Sequence, residues 1–124
     1  MPITAVRVLR LSGTLQTDGP CWEERLVRPI DIYPEYRMRD DFEGGEPVDA
    51  THFRVRQHFL RVETGDGVHG IAGPLPDLVA AYVAQRLRPI LRGQDPIAHE
   101  ALWDQMHRIM VHGRQSDAML AISG

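Results

Sequence analysis

Two short stretches rich in β-branched and aliphatic residues, set on either side of a long irregular segment, predict a small sheet. Ile3–Leu11 reads as a first strand that Ser12-Gly13 ends. Phe53–Thr64 reads as a second, and its alternation changes phase on the way. Phe53 and Val55 share one parity, Leu60 and Val62 the other, which a bulge or bend near Arg56–His58 reconciles. Gly65-Asp66-Gly67 supplies the positive φ of a tight hairpin, and Val68–Ala72 is the returning strand. Three short strands cannot hold together alone, so helices must cover one face.

The second half switches to helical spacing. From Asp77 to about Leu91, Val79, Val83, Leu87 and Ile90 recur at intervals of three or four, and Gly93 offers the C-terminal turn. Pro89 removes a donor and disfavours helix at Arg88, so the helix is expected to kink or loosen there. Asp95-Pro96 gives an N-cap followed by proline at the first helical position and predicts a second helix over 96–111. Its buried stripe is Leu102, Met106, Ile109 and Met110, with Trp103 and the methionines assigned to core or interdomain packing. His112-Gly113-Arg114 breaks it. Ser116 or Asp117 then caps a third helix, which Ala118–Ile122 begins. That last apolar run has no stop signal after it, and it is expected to lack a partner within the chain and to leave an exposed patch.

Residues 13–51 differ in kind, with glycine, proline and acidic residues and no sustained period. A segment that long is usually functional or disordered, and Trp22, Tyr33, Tyr36 and Phe42 favour an ordered binding loop. The expected organisation is one α+β domain over 1–117, carrying loop 13–51. Residues 118–124 are read as the start of a linker or helix into a further domain. The fold expected is a three-stranded antiparallel meander packed against two to three helices.

Composition narrows the chemistry. At 124 residues the chain allows one domain, and with 43% hydrophobic and 6% aromatic residues its core must be aliphatic. A net charge of -3 and a pI near 6.0 argue against a dedicated nucleic-acid binder. Every cationic side chain other than histidine is arginine, so Schiff-base chemistry and a P-loop lysine are excluded within this stretch. The lone Cys21 cannot close an internal disulfide and sits beside Glu23 and Glu24, which disfavour a thiolate. No stretch is long enough for a membrane helix and the N-terminus lacks the regions of a signal peptide, so a cytoplasmic location is expected.

No metal or acid/base set stands out. His107 and His112 span a helix end, while His58 and His69 could face each other across the hairpin with no third ligand. Glu100 and Asp104 lie on one helix face, where a solvated surface or a pair with Arg108 is the plainer reading. Gly65-Asp66-Gly67 joins two strands and opens no helix, so it is no phosphate cradle.

Three segments in this order and spacing carry a resemblance: Val62-Glu63-Thr64-Gly65-Asp66-Gly67-Val68-His69-Gly70, Leu87-Arg88-Pro89-Ile90-Leu91-Arg92-Gly93-Gln94-Asp95-Pro96, and Ala121-Ile122-Ser123. Together they resemble the N-terminal capping domain of the enolase superfamily, on the mandelate racemase and acid-sugar dehydratase side. The resemblance covers roughly the whole chain and is weakest in the loop. It implies an α/β barrel beyond the Ala-Ile-Ser segment that holds Mg²⁺ and the acid/base residues, so that no catalytic or metal-binding residue lies in this stretch. The reaction implied is abstraction of a proton α to a carboxylate.

Arg28-Pro29-Ile30-Asp31-Ile32-Tyr33-Pro34-Glu35-Tyr36, with His112-Gly113-Arg114, is most similar to the rhamnonate-dehydratase-like branch. There the cap loop supplies a histidine and an arginine to a sugar acid. Either Arg37 or Arg39 fits the arginine, with Tyr33 as a pocket wall, but no histidine precedes Tyr33 in the loop. The plainer alternatives are solvated arginines balanced by Asp40 and Asp41, and tyrosines that pin the loop. The implied whole is a homo-oligomeric Mg²⁺-dependent sugar-acid dehydratase, a lyase whose partners are its substrate and its own barrel, with no nucleic acid or membrane. A racemase, epimerase or cycloisomerase of the same superfamily, or a stand-alone binding module, stays open.

Overall fold

The structure, a computed structural model, describes residues 1–18, 27–37, 46–110 and 117–124. Cys21, Trp22, Arg39, Asp40, Asp41, Phe42, His112, Arg114 and Ser116 lie outside them. Among the described residues four strands make one antiparallel sheet: β1 (Ile3–Gln16), β2 (Glu46–Pro47), β3 (His52–Thr64) and β4 (His69–Leu75). β1 lies beside β3, and β2 and β4 each pair with β3. With the helices that follow, this is the α+β class expected. Two compact units divide the chain, Met1–Leu11 with Gln57–Gly124 and, separately, Ser12–Arg56.

The first unit holds the core. Leu60 of β3 stands opposite Ala72 of β4, and Val62 opposite Gly70. The hairpin closes with the Thr64 amide donating to the Val68 carbonyl at 2.9 Å, and Gly67 at φ 88° supplies the turn. The expected irregularity falls just past Arg56–His58. Between the pairs His58–Leu75 and Leu60–Ala72, the single residue Phe59 faces Gly73 and Pro74, so the extra residue sits on β4. Only glycine suits that place: Gly73 has φ 139°, and a Cβ there would lie 2.8 Å from Phe59 Cδ1. The returning strand accordingly runs to Leu75, past the Ala72 expected.

The helix after β4 begins as α1 (Asp77–Tyr82), widens into a π turn over Val83–Leu87 and resumes as α2 (Arg88–Leu91). Within the turn the Arg88 amide donates to the Val83 carbonyl, five residues back. This is the loosening that Pro89 calls for. Val79, Val83 and Leu87 form one stripe, exposed by 0%, 1% and 1%, against Ile3 and Val6 of β1, Leu60 and Leu75. The helix end is tied to β1 by the Gly93 amide on the Ile3 carbonyl at 2.8 Å and the Ile3 amide on the Gln94 carbonyl at 2.7 Å.

Two expectations are corrected here. The next helix, α3 (His99–Arg108), starts three residues later than Asp95-Pro96 suggests. Asp95 caps a separate turn, its carboxylate accepting the Ile97 amide at 3.0 Å and its carbonyl the Ala98 amide at 3.1 Å. Because the helix also ends by Arg108, Ile109 and Met110 leave its face and are exposed, whereas Leu102 is buried and Met106 packs on the core. The run expected to be bare is covered: α4 (Asp117–Ser123) buries Ala118, Ala121 and Ile122 and packs against α1 and α3. An apolar run whose partners lie in two earlier helices shows nothing of them in local pattern.

In the second unit β1 does not end at Ser12-Gly13. The strand runs on to Gln16, and the Thr17 amide donates to the Thr51 carbonyl at 2.8 Å. Ladder bonding overrides the low strand propensity of Ser and Gly. β2 pairs with the start of β3, Glu46 opposite Arg54 and Pro47 opposite Phe53. The turn between them is built on Asp49, whose Oδ1 accepts the Thr51 and His52 amides, both at 2.8 Å, and meets His52 Nδ1 at 2.9 Å. The Thr51 amide above all, then the His52 ring, holds the Asp49 carboxyl down to a pKa of about 2.

Candidate functional site

Two prolines shape the part of the loop that carries the expected binding residues. Each forces the residue before it into extended backbone and opens a single 3₁₀ turn. Arg28 lies at φ -99° and ψ 152° ahead of the turn Pro29–Ile32, and Tyr33 at φ -89° and ψ 121° ahead of Pro34–Tyr36. The turns close through the Asp31 amide on the Arg28 carbonyl at 2.9 Å and the Arg37 amide on the Pro34 carbonyl at 3.2 Å.

Asp31 stands where the two turns meet. At 8% exposure it is the one buried polar or charged residue among those described, which requires that its carboxylate be both hydrogen-bonded and paired. Its Oδ2 accepts the Arg28 amide at 2.7 Å, and Arg28 Nη2 lies 3.4 Å from Oδ1. The same Nη2 donates to the Tyr36 carbonyl at 3.2 Å, and Arg37 Nε donates to the Asp31 carbonyl at 2.8 Å. Two guanidinium groups therefore meet at Asp31 within ten residues, and Glu35 in the second turn balances the charge of the segment. Such a surface suits an anionic or polyhydroxylated ligand, because guanidinium presents planar, permanently charged donors.

Of the residues expected from sequence, Tyr33 and Arg37 are brought into this loop, and Arg39 lies outside the described residues. Tyr33 is half exposed and meets Tyr36 edge to face, ring centroids 6.4 Å apart. The sequence reading passed over Arg28 and Asp31 as individual residues. A signal existed: an acidic side chain at the third position of a proline-opened turn has the spacing that reaches back to the preceding amide.

Other candidates resolve into structural work. His58 stands opposite Leu75 and His69 opposite Glu63, so those histidines do not face each other as the sequence suggested. His58 Nδ1 is instead 3.0 Å from Asp77 Oδ1. Asp104 takes Arg108 Nε at 2.8 Å and 2.9 Å, and His107 stacks on Trp103 with centroids 4.7 Å apart. In the first unit an open apolar hollow of about 410 Å³ is lined by Leu91, His99, Glu100, Leu102, Trp103 and Met106. None of the expected binding residues lines it.

Among the described residues no three His, Cys, Asp or Glu side chains group to hold a metal ion. A magnesium ion prefers carboxylates and water, and the Asp31 carboxylate is already held by the cation Arg28. These residues do not fit that ion. Among the described residues no helix is long and apolar enough to cross a membrane.

No known family's sequence profile matches the chain. Solved structures do. A member of the enolase superfamily from Polaromonas sp. JS666 superimposes with a TM-score of 0.58 and 22% identity over 100% of this chain and 27% of its own. A member of the enolase superfamily from Agrobacterium tumefaciens gives 0.60 and 21% over 99% of this chain and 31% of its own. A racemase from Streptomyces coelicolor A3(2), solved with bound magnesium, gives 0.56 and 20% over 98% and 29%. The chain thus spans less than a third of the length of each of these proteins.

Proposed function

We propose that this chain is the capping domain of a magnesium-dependent enolase-superfamily enzyme that dehydrates a sugar acid. The observation that carries the reading is the superposition of nearly the whole chain on less than a third of proteins of that superfamily. The arginine-bearing loop supports the substrate class. Arg37, with Tyr33 in the same loop and Arg39 two residues on, would meet the carboxylate or hydroxyls of an aldonate. The acid/base residues and the carboxylates for the metal would belong to a barrel domain outside this stretch, and this chain alone would be inactive. In the reaction the proton α to the carboxylate leaves, the β-hydroxyl departs as water, and the resulting enol becomes a 2-keto acid.

Racemisation is the second reading, favoured by the Streptomyces neighbour. It begins with the same proton abstraction and ends with the proton's return to the other face. A panel of aldonates offered to the full-length protein with Mg²⁺ separates the two. Dehydration is expected to yield a 2-keto acid, read as its semicarbazone. Solvent deuterium exchanged into unchanged or inverted acid, with no keto product, would replace dehydration by racemisation. Neither product from any aldonate would overturn the substrate class.

A further inference from the structure

We infer that Asp31 is the positioning residue of the loop, fixing Arg37 in the orientation that meets the substrate; this rests on the role proposed for Arg37 above. Two connections lead from Asp31 to that arginine. The direct one is its carbonyl, which holds Arg37 Nε at 2.8 Å and restrains the guanidinium of an otherwise exposed, many-rotamer side chain. The other runs through the carboxylate to Arg28, whose Nη2 also grips the carbonyl of Tyr36, the residue before Arg37. Arg28 thereby ties the end of the second turn to the first. The carboxylate also accepts the Arg28 amide at 2.7 Å and so fixes the backbone from which its own carbonyl projects.

Burial is what makes the arrangement depend on Asp31. A carboxylate exposed by 8% gives directional, charge-assisted bonds that water competes for poorly. Asparagine would keep an acceptor for the Arg28 amide and lose the charge that draws its guanidinium. Alanine would lose both.

The test is a double-mutant cycle in the full-length enzyme, on the sugar acid that the aldonate panel identifies. Arg37→Ala is expected to lower kcat/KM about tenfold to hundredfold, and Asp31→Ala about tenfold. The double variant should match Arg37→Ala within about twofold, because Asp31 has nothing left to position. Losses that multiply would overturn the inference, since a residue that merely supports the fold would act whether or not Arg37 is present. Should Asp31→Ala not fold, Asp31→Asn runs the same cycle with a loss of about threefold to fivefold. An independent readout needs no substrate: the Arg37 Nε–H signal, assigned by its disappearance in Arg37→Ala. Its exchange with water should be slow in the parent and about tenfold or more faster in Asp31→Asn. Exchange at the parent rate would sink the positioning role. Unchanged kinetics in Arg37→Ala would instead remove Arg37 from the site, and the exchange measurement would then judge Asp31 alone.

Discussion

Two aspartates do similar work in the second unit under opposite conditions. Asp31 is buried and braced by Arg28, while Asp49 is exposed and accepts two amides and a histidine ring to close the turn before β3. The Asp49 carboxyl is held below its ordinary 3.8, at about 2. A depressed carboxyl stabilises the folded turn above the unfolded value, and that contribution fades as pH falls through the folded one. Following the Asp49 carboxyl carbon by NMR should therefore give a midpoint near 2, with the Thr51 and His52 amide shifts moving together about that same midpoint. A midpoint at the ordinary value would mean that the turn is not formed in solution. At this scale the sequence was readable where the chemistry is local. Tyr33 and Arg37 could be singled out by type and place, whereas Asp31 acts through burial and through partners in the next turn, and a sequence does not display burial.

Among the elements, those with a period of their own were legible. The β3–β4 hairpin, the helix with Val79, Val83 and Leu87, and the loosening near Pro89 all follow from spacing and turn chemistry. Boundaries decided by competing hydrogen bonds, distant or local, were not. β1 outruns Ser12-Gly13 because a ladder partner is available, and α3 starts late because Asp95 is used in a turn of its own. α4 is the largest difference, since seven residues cannot announce what will cover them. Its packing makes a direct forecast. Ile122→Ala, at 8% exposure in the core cluster, should cost about 2–4 kcal/mol in urea unfolding, whereas Leu120→Ala, at 55% exposure, should stay within about 0.5 kcal/mol. Equal small losses would mean that α4 is not seated as described.

For the molecule as a whole, the order of elements was enough to anticipate the α+β class and the kind of protein it resembles. The fold is shared with solved structures at an identity of only 20–22%. The chemistry was less legible, because burial and pairing between turns, as at Asp31, leave no periodic pattern in a sequence. The described residues offer no ligand set for a metal ion, and the chain spans 27% to 31% of proteins with the same fold. Within the second unit the loop is held together at Asp31, whose buried carboxylate meets Arg28 and whose backbone carbonyl accepts from Arg37.

The π turn over Val83–Leu87 links chain length to the identity of one distant position. A turn closed by a bond five residues back contains one residue more than an α-helical turn needs, so the segment from Asp77 to Leu91 carries an insertion within it. Removing Gln85, which is exposed, should restore α geometry with the flanking segments still aligned, but it would place Pro89 in a regular helix interior at a cost of about 3 kcal/mol. Deletion of Gln85 alone should therefore destabilise the protein strongly, and deletion combined with Pro89→Ala should recover most of the loss in thermal unfolding. Equal Tm values for the two variants would contradict the link. In descent the two changes should be found together: a related chain one residue shorter in this helix is expected to have lost the proline as well.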